Sequence, residues 1–132
     1  YRVFVDRGRE NTNLDAIEWA REVEKKGAGE IFLTSIDNDG KKGGYDLELV
    51  KKITSSVNIP VITFGGVGNW DHLVDGISIG NADAVSAANI FHHTEHSTHN
   101  AKEFMKNAGL NVRQSNFYKL PTPRKPKYNE IF

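Results

Sequence analysis

The sequence contains no cysteine. That excludes a disulfide framework and any metal site built on thiolates. It has no surplus of either charge: 17 Lys plus Arg balance 17 Asp plus Glu, for a formal net charge of +0. Broad nucleic-acid binding normally shows as a basic excess, so nucleic acid is not an expected partner. No apolar run approaches the roughly 20 residues of a membrane span and no signal peptide opens the chain, so no membrane partner is expected and the expected location is the cytoplasm. Proline is scarce and uneven, with three of the four (Pro121, Pro123, Pro126) lying after Gln114. What remains is an ordinary globular composition, 38% hydrophobic and 26% charged over 132 residues, enough for one domain with a real core. The chain starts at Tyr1, without an initiator Met, on what reads as mid-domain sequence.

Within that composition, apolar residues follow two periods in alternation. Tyr1 to Val5 reads as a short strand or one arm of a hairpin, followed by a polar loop from Asp6 to Thr12. Thr12 or Asn13 is the expected cap of a helix whose inner stripe is Leu14, Ile17, Ala20 and Val23, with Gly27 suited to its end. Residues 30–36 form a nearly continuous apolar strand of the kind buried on both faces of a parallel sheet. Asp46 caps a helix with Leu49, Val50, Ile53 and Val57 inward, and Val61 to Phe64 is the next strand. Asn69 caps a helix carrying Leu73, Val74 and Ile77; residues 83–88 form a further strand; Ser97 caps a last helix through Phe104, Met105 and Ala108. Strands alternating with helices demand a parallel sheet with right-handed crossovers. The Gly-x-x-acid joints at Gly27–Glu30 and Gly80–Asp83 read either as shared turn chemistry or as units of a (β/α) barrel. The tail from Gln114 to Phe132, with Phe117, Tyr118, Tyr128 and Phe132, reads equally as an arm that packs on something or as a solvated terminus.

In parallel α/β folds function collects at the C-terminal ends of strands. The first such end, Ser35-Ile-Asp-Asn-Asp-Gly40, has the spaced acids of a calcium loop but lacks the Glu expected six residues past that Gly, where Asp46 stands. Asp37 or Asp39 would bind substrate hydroxyls or act as acid or base, and an Asx-turn competes for Asn38. The second end, Gly65-Gly66-Val67-Gly68 before a helix N-terminus, offers backbone N–H groups to an anion, or answers only a tight turn's need for positive φ. The third, Ala87-Ala88-Asn89, uses small residues that let a ligand approach the backbone. Two such loops together resemble the phosphate site at the end of a barrel. His92, His93, Glu95, His96 and His99 crowd into eight residues, but Ser97 breaks their helical face, so a solvent-facing loop is expected and no metal or cofactor.

Two stretches carry a family resemblance: Val23-Glu-Lys-Lys-Gly-Ala-Gly-Glu-Ile-Phe-Leu-Thr-Ser-Ile-Asp-Asn-Asp-Gly40 with Gly44-Tyr-Asp-Leu-Glu-Leu49, and Ile59-Pro-Val-Ile followed by Gly65-Gly66 and Ala84 through His92. They resemble the cyclase subunit of imidazole glycerol phosphate synthase, in register over about residues 1–113, where Asn111-Val112-Arg113 resembles the usual ending. The resemblance implies an α/β fold, the C-terminal half of a (β/α)8 TIM barrel: a fifth-strand hairpin arm, then strands six to eight with their helices over residues 1–113, and an extended tail over 114–132. It implies a subunit that takes ammonia from a glutaminase partner on the N-terminal face of the barrel. The subunit then splits and cyclises a bisphosphorylated ribulosyl substrate, giving imidazole glycerol phosphate in histidine biosynthesis. Asp39 and Gly40 match the substrate loop; Gly65, Gly66, Ala88 and Asn89 match positions that hold one phosphate; Glu30 matches one member of the charged ring where ammonia enters. The two catalytic aspartates of the family would precede Tyr1, so the resemblance assigns none to this segment, and the segment alone is expected to be inactive.

The departures open a second reading. Thr63-Phe64 stand where the family usually has Ala-Ser, Lys41 where it favours Thr, and Asn89 where it usually has Ser. These features resemble paralogues encoded with surface-polysaccharide genes, in which the ammonia-channelling pair aminates a nucleotide-linked sugar to an acetamidino sugar. A third reading is a non-catalytic phosphate-binding half-barrel module. In each case a sheet of about four parallel strands leaves open edges, so pairing with the missing N-terminal half or with a second copy is expected.

Overall fold

The computed structural model describes residues 1–92 and 97–114. The chain opens on an antiparallel pair, β1 (Arg2–Val5) and β2 (Glu10–Asp15), joined by a turn in which Asp6, Arg7 and Gly8 all have positive φ. The expected loop over 6–12 is therefore shorter, and its second half is strand. Thr12 and Asn13 do not cap a helix. Thr12 donates through Oγ to Val3 O (2.8 Å) and accepts the Leu14 N–H (3.2 Å), while Asn13 sits at φ 61 where the β1–β2 register is irregular. With both spent inside the hairpin, the cap of α1 (Ala16–Lys25) falls to Asp15, whose carboxylate accepts from Ile17 N and Glu18 N. Leu14 belongs to β2 and is 44% exposed, leaving Ala20 as the buried centre of the α1 stripe.

The parallel sheet has three strands in the order β3 (Ile31–Thr34), β4 (Val61–Phe64) and β5 (Ala84–Val85). Between them lie α2 (Leu47–Thr54) and α3 (Trp70–Ser78), capped by Asp46 and Asn69 as their sequence requires; a 3-10 turn (Asn89–His92) and α4 (Ser97–Asn107) follow. The strand expected over 83–88 pairs only at Ala84 and Val85, because the chain turns into the 3-10 segment after Ala88. Ser97 is the first residue of α4, and its hydroxyl donates to Phe91 O (3.0 Å). Ala108 is exposed; Ala101 and Met105 are the buried contacts of that helix.

Register sorts the strand residues onto two faces. Ile31 pairs with Val61 and Leu33 with Thr63, and these pack beneath α1 and α2 around Ala20, Leu49 and Ile53, joined by Val57 from beyond the end of α2. Val85, paired with Thr63, joins Tyr45, Val67, Leu73, Ala101 and Met105 in a second cluster under α3 and α4. The opposite face carries Phe32, Thr34, Ile62, Phe64 and Ala84, and none of the described helices covers it. Phe32 is 57% exposed there, its ring 5.7 Å from that of Phe64. The expectation of burial on both faces thus holds for only one, and the apolar character of the other is that of a barrel interior. Parallel strands, crossover helices on one side and an apolar opposite face are the arrangement of a partial barrel-type domain. Among the described residues no helix is long and apolar enough to cross a membrane.

Candidate functional site

The carboxyl ends of the three parallel strands stand level, because Thr34 pairs with Phe64 and Thr63 with Val85. Two further bonds extend the ladder past the strand ends, Ser35 N to Phe64 O (3.2 Å) and Ser86 N to Thr63 O (2.8 Å). Three connections therefore leave the same edge: residues 35–46, 65–69 and 86–92. All the residues expected to touch substrate or phosphate lie on them.

The glycine connection is buried from Gly65 to Val67 beneath the first connection. A Cβ at Gly65 would lie 2.8 Å from Ser35 O, and Gly65 has a φ of 100. A Cβ at Gly66 would collide with the Gly44 carbonyl oxygen, and would lie 2.9 Å from its carbon and 3.1 Å from Asn38 Cβ, at a φ of 101. The two connections are tied where they touch. Gly44 N donates to Gly66 O (2.8 Å), and Asn38 Nδ2 donates to Gly44 O (3.2 Å). Asp39 N donates to Ser35 O (3.0 Å), folding the first connection back over Gly65 while leaving Asp39 and Gly40 exposed. Glycine is thus required at 65 and 66 by backbone conformation and close approach. Asp37 is exposed on the same connection.

The first turn of α3 gathers the connections. His72 accepts the Gly68 N–H through Nδ1 (3.1 Å), which places the proton of the neutral ring on Nε2. The His72 N–H donates to the capping carboxamide of Asn69 (3.1 Å). Trp70, on the same turn, stacks on Phe91 of the 3-10 segment, with ring centroids 6.1 Å apart. Ala88 and Asn89, exposed at the start of that segment, are held beside the α3 N-terminus by this stack. Tyr45 crosses beneath, its hydroxyl donating to Ser86 O (2.8 Å), and burial raises its phenol well above the usual value. The sequence pattern did not single out His72, Trp70 or Tyr45. The nearest signal was the Asn69 cap, which fixes what stands one turn later.

Glu30 lies at the opposite end of the sheet, exposed and directly before β3, whose Ile31 N–H donates to Pro60 O (2.8 Å). Its counterpart Asp83 has a different job: its carboxylate accepts the Val61 N–H (2.9 Å), and its own N–H donates to Val61 O (3.0 Å). An open-sided cavity of about 480 Å³ lies between α3, β5 and α4, walled by Leu73, Ile77, Val85 and Met105 with Lys102 and Arg113 on its lining; none of the expected site residues lines it. Among the described residues no three potential ligands gather as a metal would need. His92 ends the 3-10 turn and His99 lies on α4; His93, Glu95, His96 and the tail from residue 115 lie outside the described residues.

With the glycine connection in place, the model of the histidine biosynthesis protein family matches residues 1–97. The chain belongs to that family. Its members are generally enzymes of histidine biosynthesis. Among solved structures, the chain is similar to that of the Amycolatopsis orientalis BexX/CysO complex, at 16% identity and a TM-score of 0.55, over 76% of this chain and 44% of that one. It also resembles a FabK mutant from Thermotoga maritima at 32% identity and a TM-score of 0.47, over 57% of this chain and 26% of that one. The first likeness shows the fold alone. The chain spans less than half the length of either structure.

Proposed function

We propose that this chain is the C-terminal half-barrel of a cyclase subunit of imidazole glycerol phosphate synthase, and that it supplies one of the two substrate phosphate sites. The observation that carries the reading is the buried Gly65-Gly66 connection, roofed by the Asp39-Gly40 connection and running into the N-terminus of α3. A helix N-terminus preceded by glycines in fixed left-handed conformations favours an anion, through backbone N–H groups and the helix dipole. Ala88 and Asn89 emerge at the same edge and would close the phosphate site from the third connection. Asp39 and Gly40, exposed at the mouth, would contact the rest of the substrate. Glu30, at the far end of the sheet, is on the side where ammonia from a glutaminase partner would enter.

A second reading has one observation in its favour. Phe64 projects onto the uncovered face and meets Phe32 there, so bulk occupies the ligand side of the phosphate connection. That favours a substrate of different shape, a nucleotide-linked sugar aminated in surface-polysaccharide synthesis. One assay separates the readings. The intact subunit, given ammonium salt, is expected to turn over the ribulosyl bisphosphate to imidazole glycerol phosphate. No turnover by a folded, full-length protein rejects the histidine reading, and amination of a nucleotide sugar establishes the second.

A further inference from the structure

The glycine connection is fixed by a third party. His72 reaches back from the first turn of α3 and takes the Gly68 N–H on Nδ1. The face of the same ring lies against Gly44: a Cβ at Gly44 would be 3.3 Å from Cδ2 and 3.5 Å from Cγ and Nε2. Gly44 in turn donates its N–H to Gly66 O. In a trans peptide the C=O and the following N–H point in opposite directions. Pinning Gly66 O toward Gly44 therefore turns the Val67 N–H away from the first connection. With the Gly68 N–H consumed by His72 and the His72 N–H by Asn69, an anion is left with the earlier donors of the turn and the first N–H groups of α3, and the directions of the former depend on where the imidazole holds both connections.

We propose that His72 is a positioning residue of the anion site: its imidazole, through Gly68 on one edge and Gly44 on one face, sets the glycine connection in its phosphate-accepting shape. The inference rests on reading that connection as a phosphate site. It gives a half-buried histidine outside the expected ligand set a role that a merely space-filling ring would not have. The acceptor at Nδ1 is the part that matters. Asparagine places a carboxamide oxygen at nearly the same reach, phenylalanine keeps the bulk without an acceptor, and glutamine carries its oxygen one bond too far.

The test is titration with inorganic phosphate, read by the amide signals of Gly65, Gly66, Val67 and Gly68 in the wild-type protein and its variants. Wild type is expected to show saturable shifts at these amides. His72→Phe is expected to bind about tenfold more weakly, the order of one lost hydrogen bond, and His72→Asn to stay within about threefold of wild type. Equal binding by folded His72→Phe and wild type overturns the inference and leaves the phosphate reading standing. No shift in wild type overturns the phosphate reading, and the inference with it. If His72→Phe does not fold, the pair His72→Asn and His72→Gln decides: binding kept in the first and weakened in the second supports the role, and equal behaviour of the two overturns it.

Discussion

At Gly66 two separate demands coincide. Its φ of 101 is one that L side chains rarely adopt, and the space a Cβ would need is held by the Gly44 carbonyl. Gly40, with a φ of 78, meets only the first demand, since nothing lies within 4 Å of its Cβ position. The two positions therefore separate conformational cost from steric cost. Gly40→Ala is expected to destabilise by about 1 kcal/mol and Gly66→Ala by more than about 3 kcal/mol. Urea unfolding midpoints of the two variants measure the difference, and equal midpoints would contradict the packing described. From sequence alone Gly65, Gly66 and Gly40 look equivalent. What distinguishes them is the arrival of residues 38–44 from a different part of the chain, which no local pattern encodes.

Among the elements, legibility followed how local the determining forces were. The caps at Asp46 and Asn69 were readable because a cap acts within one turn: Asp46 accepts from Leu49 N at 2.9 Å and Asn69 from His72 N at 3.1 Å. The start of α1 was not readable from residues 12 and 13, because pairing of β2 with β1 commits Thr12 and Asn13 to the hairpin and moves the cap to Asp15. Residues 83–88 look like strand because those after Val85 are small, yet strand pairing stops at Val85 and the chain enters a 3-10 turn at Asn89, where Phe91 stacks on Trp70. Asp15 carries a testable consequence. The N–H groups of Glu18 and Ile17 hold its carboxyl below the ordinary value of 3.8, Glu18 contributing most. A lowered folded-state value adds stability that is present above the unfolded value and lost as pH falls through the folded one. Asp15→Asn keeps a capping side chain without the charge. Its melting temperature is expected to lie a little below that of wild type at neutral pH, with the gap closing below about pH 4. Paired thermal melts across that range check it; a gap that widens in acid would refute the assignment.

At the scale of the whole molecule, the dominant fact is a sheet that the described helices cover on one side only. Helices bury Val61, Thr63 and Ile53 to 2% exposure or less, while Phe32 stays at 57%. An apolar face of this kind favours association. These 132 residues in isolation are expected to self-associate, and Phe32→Thr to weaken that association by about tenfold or more, since burying one Phe contributes roughly 1.5–3 kcal/mol. Sedimentation velocity over a range of concentrations checks it, and a monodisperse wild-type monomer at high concentration would contradict it. That these segments are strands was plain in the sequence; that only one of their two apolar faces would find described helices to pack on was not, since that depends on what else joins the sheet. The stack of Trp70 on Phe91 has a use of another kind. The chain holds two tryptophans; the other, Trp19, lies on the outer flank of α1 with the Lys26 ammonium 5.5 Å from its ring centre. The intrinsic fluorescence of the protein is thus divided between a surface indole beside a cation and one standing at the mouth of the strands. The second is a reporter that evolution has already installed there.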